Sequence, residues 1–227
     1  LLLPAMAALL WLSPRLGPRF EMNELGASAG VNTMMERFHF DLGGATAGPA
    51  DSPMQIRPEW KGPPPPQAPV AIVAIEGCDR APVSLADPEQ AQRLKAYVWA
   101  EVTERIARID AAIALAAQQP PRLVRMDAAD FVDERLAAPQ DDDTTRVLYH
   151  SIVWQYLPAE TRARIEAAMA QAGARADARR RLAWVKLETN RETFRHELRV
   201  RYWPGGEAET LLGTAHAHGA WVEWFGA

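Results

Sequence analysis

Residues 19–25 read Arg-Phe-Glu-Met-Asn-Glu-Leu, and residues 26–32 continue Gly-Ala-Ser-Ala-Gly-Val-Asn. The first stretch alternates apolar and polar residues, the period of a β-strand. Gly26 to Gly30 is a turn of small residues. Glycine lets a backbone turn tightly and approach a ligand closely. Beyond it Val31, Met34, Met35 and Phe38 recur at helical spacing, which predicts a helix whose first N–H groups point back at the turn. Strand, glycine turn and helix in that order are the opening unit of a nucleotide-binding α/β sheet.

The same alternation continues outward from this unit. Val70 to Ile75 is an unbroken apolar run rich in β-branched residues and predicts a buried parallel strand. Asp87-Pro88-Glu89 opens a helix, with proline in the first turn and acids near its positive end. That helix is expected to run to about Ala117, with a break near Trp99. Residues 122–126, 146–150 and 182–188 supply three more strands, with helices at 128–137 and 158–172 between them. Segments 195–203, 209–215 and 220–225 then read as strands joined by tight turns, Pro204-Gly205-Gly206 the clearest. The expected fold class is α/β, a mainly parallel Rossmann-like sheet with an antiparallel C-terminal edge, in one domain over 1–227. Residues 38–66 interrupt it as a hairpin-like excursion ending in the stiff Pro63-Pro64-Pro65-Pro66 connector.

Composition removes several function classes. With 227 residues the chain is long enough to bury a core. A net charge of −4 leaves no general basic footprint for nucleic acid. The arginines at 179–181 sit beside Asp177 and read as a solvated helix end. Cys78 is the only cysteine, so neither an internal disulfide nor a zinc-ligand spacing exists, and a cytoplasmic location is the default. Leu1 to Leu12 is too short to span a bilayer, lacks the features of a leader, and reads as a buried helix stopped by Ser13 and Pro14. Asp141, Asp142 and Asp143 read as a water-facing loop.

In sheets of this kind ligands bind beyond the carboxyl ends of the strands, where strand order reverses. Glu24 ends the first strand just before Gly26, Ser28 and Gly30. Asp79 follows the second strand, where an acid can accept from ribose hydroxyls; Asp41 lies at a competing distance. Asp127 follows the third strand, placed either to accept from an adenine amino group or to cap the helix that begins at Ala128. His150 ends the fourth strand, followed by Trp154 and Gln155, residue types that suit a pocket wall. Glu188 and Asn190 follow the fifth. Histidine titrates near neutrality, so His150 is the candidate general base; a hydrogen-bonded structural histidine is the alternative. It is expected at the pocket mouth, with Trp154, Gln155, Glu188 and Asn190 on the substrate side. His216 and His218 share one strand face but have no clear third ligand, so no metal is assigned.

The order of these motifs resembles class I S-adenosylmethionine-dependent methyltransferases: acid-x-Gly-x-x-x-Gly at 24–30, Gly-x-Asp-x-x-Pro at 77–82, then Asp-Ala at 127–128. More closely, the chain resembles the bacterial domain of unknown function 2332 family. Glu-Leu-Gly-Ala-Ser-Ala-Gly-Val-Asn (24–32), Gly-Cys-Asp-Arg-Ala-Pro-Val (77–83), Arg-Leu-Lys-Ala-Tyr-Val-Trp (93–99), His-Ser-Ile-Val-Trp-Gln-Tyr-Leu-Pro (150–158) and His-Ala-His-Gly-Ala-Trp-Val-Glu-Trp (216–224) carry that resemblance over nearly all of residues 20–225. It implies an additional amino-terminal segment, missing here. The likeness to methyltransferases implies a sheet of that type, S-adenosylmethionine as cofactor on Glu24, Gly26, Ser28, Gly30, Asp79, Asp127 and Ala128, and methyl transfer to a small-molecule acceptor. Three departures are visible. Alanine or serine stands where many such loops have a middle glycine; about fifty residues separate Glu24 from Asp79; and only about six residues separate the fifth strand from the next, too few for a helix. A non-catalytic binding or interaction domain on the same fold therefore stands as the alternative. A nicotinamide dinucleotide enzyme is disfavoured, because the first loop lacks Gly-x-Gly-x-x-Gly spacing.

Overall fold

The computed structural model describes residues 3–96, 103–217 and 219–226. Tyr97, Val98, the helix break expected near Trp99, and His218 lie outside the described residues. The helices are α1 (Leu3–Leu16), α2 (Pro88–Ala96), α3 (Thr103–Gln118), α4 (Ala128–Ala137) and α5 (Ala159–Gly173). The strands are β1 (Arg19–Leu25), β2 (His39–Leu42), β3 (Ala45–Ala47), β4 (Gln55–Ile56), β5 (Glu59–Lys61), β6 (Ala71–Asp79), β7 (Leu123–Arg125), β8 (Thr144–Ser151), β9 (Arg180–Thr189), β10 (His196–Trp203), β11 (Gly206–Ala215) and β12 (Trp221–Trp224).

Nine strands form one sheet in the order β5-β12-β11-β10-β9-β8-β1-β6-β7. The five expected strands, β7, β6, β1, β8 and β9, run parallel to one another. Strands β9 to β12 follow as an antiparallel meander. From β1 the chain moves outward through β6 to β7, then returns to lay β8 on the other side of β1. The strand order therefore reverses between β1 and β8, and their carboxyl ends mark the crevice where such sheets take ligands.

Alternation along the central strands builds a core on each side of the sheet. Phe20, Met22, Val147, Tyr149, Val185 and Leu187 join the α1 residues Ala5 to Leu12 in one apolar cluster. Leu25, Leu148, Leu182 and Trp184 join Phe131 of α4 and Ile165 and Met169 of α5 in the other. Helix α1 is apolar all round because it is covered all round: Ala5 to Leu12 are at most 5% exposed. It does not stop at Ser13. Pro14 sits within its last turn, where one lost backbone bond is tolerable, while Ser13 Oγ donates to Pro69 O and Gly17 closes the turn at φ +80°.

Four other expectations are corrected. The helix after Gly30 is a short 3-10 segment, Asn32–Arg37, because Phe38 is already extended and begins the run into β2. The run at 70–75 is not a buried strand: Val73 is 42% exposed. Strand β7 reaches only Gly77 to Asp79 of β6, since Pro120 and Pro121 before it carry no N–H to extend the ladder. Arg180 and Arg181 begin β9 rather than end a helix, and Arg179 and Arg180 pair with Asp142 at 2.6 and 3.0 Å. Asp142 thus pairs with two arginines of the cluster, while Asp141, Asp142 and Asp143 remain exposed. Finally, the 38–66 excursion is more than a hairpin. β2 and β3 turn at Gly43-Gly44 and pair with β4 in a small sheet, while β5 crosses to pair with β12 at the far edge of the large one. There Trp60 packs on Trp224 with ring centroids 5.9 Å apart. Among the described residues no helix is long and apolar enough to cross a membrane.

Candidate functional site

Three strand ends converge beside the reversal point. Gly26 after β1, Cys78 and Asp79 at the end of β6, and Met126, Asp127 and Ala128 after β7 line one cavity of about 280 Å³. Its other wall is Val153, Tyr156 and Leu157, from the segment that leaves β8. Asp79 ties this arrangement together. Its Oδ2 accepts from Ser28 N–H at 2.9 Å and its Oδ1 from Ala81 N–H at 2.8 Å. A carboxylate has about four lone-pair positions, so two bonds leave acceptor capacity toward the cavity. Asp127 Oδ1 accepts from Ala129 N–H at 2.9 Å and caps α4. The cap therefore exists, and Asp127 still lines the cavity. Asp41, the competitor for the ribose position, accepts from Gly44 N–H in the β2–β3 turn instead and does not line this cavity. The Cys78 thiol is pushed up to about 12 by burial, so it stays protonated at neutral pH.

The glycine loop is shaped for close packing. Gly26, Ser28 and Gly30 all have positive φ. A Cβ on Gly26 would come within 2.5 Å of Val153 Cγ2, and one on Gly30 within 2.8 Å of Pro121. The space that Gly26 opens is thus filled by Val153. Glu24, Ser28 and Gly30 surround the cavity without lining it. Glu24 is 4% exposed. Its Oε1 accepts from Asn32 Nδ2 at 2.6 Å, while its Oε2 is buried with no hydrogen-bond partner. Burial raises its pKa to about 7, against the opposing pull of Asn32.

The expectation that His150 faces the pocket mouth is corrected. Its side chain is fully buried, because Trp154 folds back and stacks on the imidazole at 5.0 Å with a 15° interplanar angle. Nδ1 lies 2.7 Å from Glu188 Oε1, and Nε2 has no partner. Burial holds the imidazole below its ordinary pKa, although Glu188 pulls the other way. Glu188 Oε1 also accepts from Val153 and Trp154 N–H at 3.1 and 3.2 Å. One carboxylate oxygen therefore pins the segment after β8 that divides the first cavity from a second.

The second cleft, about 440 Å³, lies over the ends of β9 and β10. Trp154, Glu188 and Asn190 line it together, with Lys186, Arg191, Glu192, Glu197 and Arg199. Gln155 lines neither space and is exposed. The sequence reading missed Val153 and Tyr156, because nothing in the sequence announces that Ile152 adopts φ +51° and turns the chain back. It also missed the charged lining of the second cleft, which the tight β9–β10 connection brings together. His216 lies 6.3 Å from Trp221, ring to ring.

Fold and site together define an α/β protein with a large, mostly parallel sheet, an antiparallel edge, and a cavity at its topological switch point. The family described as "Uncharacterized protein conserved in bacteria (DUF2332)" matches residues 2–224, and the chain belongs to it. No curated protein and no solved structure matches the chain.

Proposed function

We propose that the first cavity binds S-adenosylmethionine and that the chain is a methyltransferase-like protein acting on a small-molecule acceptor. The observation that carries this reading is the convergence of Gly26, Asp79 and Asp127, from three consecutive parallel strands, on one cavity at the switch point. The residues present fit a nucleoside. Asp79 has acceptor capacity for ribose hydroxyls, Asp127 lies where an exocyclic amine can donate, and Met126, Leu157 and Tyr156 offer apolar and aromatic surface for a base. The cavity volume stands near the lower end of the range for small-molecule sites, roughly 300–1,000 Å³. When bound, S-adenosylmethionine supplies a methyl group activated by its sulfonium. Around it the chain positions the reactants. Glu188 reaches the second cleft, and buried His150 holds one of its oxygens, so the pair can position or take up a proton there.

A second reading, a non-catalytic binding domain, is favoured by one observation: Val153 already fills the space above Gly26. Titration with S-adenosylhomocysteine separates the two. The first reading expects calorimetric heat and a raised melting temperature, with about 2.7 kcal/mol of added stability at a hundredfold excess over Kd, and no response to NAD. Asp79→Asn should weaken binding by about tenfold, the size of one charge-assisted hydrogen bond. No heat at millimolar ligand on the folded chain would leave the second reading standing.

A further inference from the structure

The cleft over β9 and β10 carries charges of both signs, and most are spent within the protein. Arg199 pairs with Glu197 at 2.8 Å and with Glu209 at 3.5 Å, and Lys186 pairs with Glu209. Three groups keep binding capacity. The Arg191 and Glu192 side chains are exposed and have no ion-pair or hydrogen-bond partner among the described residues. Glu188 gives Oε1 to three N–H donors and keeps Oε2.

These groups stand on a built loop. Asn190 Oδ1 accepts from Glu192 and Thr193 N–H at 2.9 and 3.1 Å, and Asn190 Nδ2 donates to Glu197 Oε1 at 2.9 Å. The turn is thereby tied to β10, and Arg191 and Glu192 border the cleft without depending on each other. Trp154 forms an apolar wall of the same cleft, with one indole face already covered by His150.

We infer that this cleft binds a zwitterionic small molecule of amino-acid type, carrying an ammonium, a carboxylate and an apolar part. A ligand of one sign meets either Arg191 or the two carboxylates as a repulsive group, whereas a zwitterion uses both. The carboxylate pairs with the Arg191 guanidinium, whose planar fork matches it. The ammonium lies toward Glu188 Oε2 and Glu192, beside an indole that itself attracts cations. The apolar part packs on Trp154. Such a ligand would be the methyl acceptor if the function proposed above holds; binding itself does not rest on that function.

The test titrates the full chain, without S-adenosylhomocysteine, with three molecules that share one skeleton: L-phenylalanine, phenethylamine and 3-phenylpropionate. L-Phenylalanine is expected to bind about tenfold or more tighter than either half, the increment of one charge-assisted contact. Arg191→Ala should remove that gain and weaken 3-phenylpropionate without weakening phenethylamine, which it relieves of a like charge. Glu192→Gln should weaken phenethylamine and spare 3-phenylpropionate. Both positions are exposed and unpartnered, so unchanged melting curves should accompany these losses. Equal affinity for all three molecules, no binding at millimolar concentration, or L-phenylalanine binding insensitive to Arg191→Ala would overturn the proposal. None of these outcomes bears on S-adenosylhomocysteine binding in the other cavity, so the two readings fail separately.

Discussion

Replacing Arg146 with methionine should lower the free energy of unfolding by about 3 kcal/mol, the scale of a buried ion pair broken from one side. Arg146 lies on β8 and is 4% exposed. Its Nε and Nη2 donate to the two oxygens of Glu21 on neighbouring β1 at 3.0 and 3.1 Å. Its Nη1 and Nη2 also donate to the carbonyls of Ala138 and Pro139 at 3.0 and 2.8 Å. One guanidinium thus joins the two central strands to the end of α4. Methionine fills similar volume but leaves a carboxylate and two carbonyls without their donor. Adding Glu21→Leu should return part of the loss, because the stranded carboxylate is then gone. Urea unfolding of the two single variants and the double variant measures the coupling. A loss under about 1 kcal/mol for Arg146→Met, within the ordinary range of surface pairs, would mean that water replaces the guanidinium at Glu21.

Glu24→Gln is expected to make the protein more stable at alkaline pH. The Glu24 pKa stands at about 7 against 4.5 for an ordinary glutamate, chiefly because burial disfavours the charged form. The folded chain therefore holds this proton more tightly than the unfolded chain. Stability contributed by the group is fully present below the ordinary carboxylate pKa, falls as pH rises through about 7, and is flat above. At about 1.4 kcal/mol per pH unit the fall is on the order of 3 kcal/mol. Glutamine keeps an acceptor for Asn32 and cannot ionise. The variant should therefore match the parent near pH 4 and exceed it by up to that amount at pH 8. Urea unfolding of both proteins across this range gives the answer, and parallel pH profiles would refute it. The same carboxylate, with Oε2 unpartnered, lies beside the first cavity. A cationic ligand group reaching it would favour the ionised form, making ligand affinity rise with pH in the parent and not in Glu24→Gln.

Asp79 was legible because a long apolar run ends at an acid, and strand ends are where open sheets present ligand groups. Asp127 was legible as the cap of the helix that begins at Ala128, and the residue also lines the cavity. His150 was legible as a strand end but not as a buried group. Its surroundings depend on Trp154 folding back over it, which rests on Ile152 turning at a φ that a β-branched residue rarely adopts. The charged cleft was half legible. Glu188 and Asn190 follow the fifth strand in sequence, but Glu197 and Arg199 reach the same space only because β10 runs back antiparallel to β9.

By itself the sequence determined the five parallel strands, the glycine turn after the first, and the meander at the end. Those features rest on local causes: the period of apolar residues, the conformational freedom of glycine, and the helix-opening chemistry of Asp87-Pro88 and Asp127. Tertiary structure alone decided which groups face a cavity and which are sealed. It set β7 too short to cover β6, carried β5 across to β12, seated Val153 over Gly26, and left one oxygen of Glu24 without a partner. Each of these depends on two segments far apart in the chain meeting at a defined distance, and no local pattern encodes such a distance.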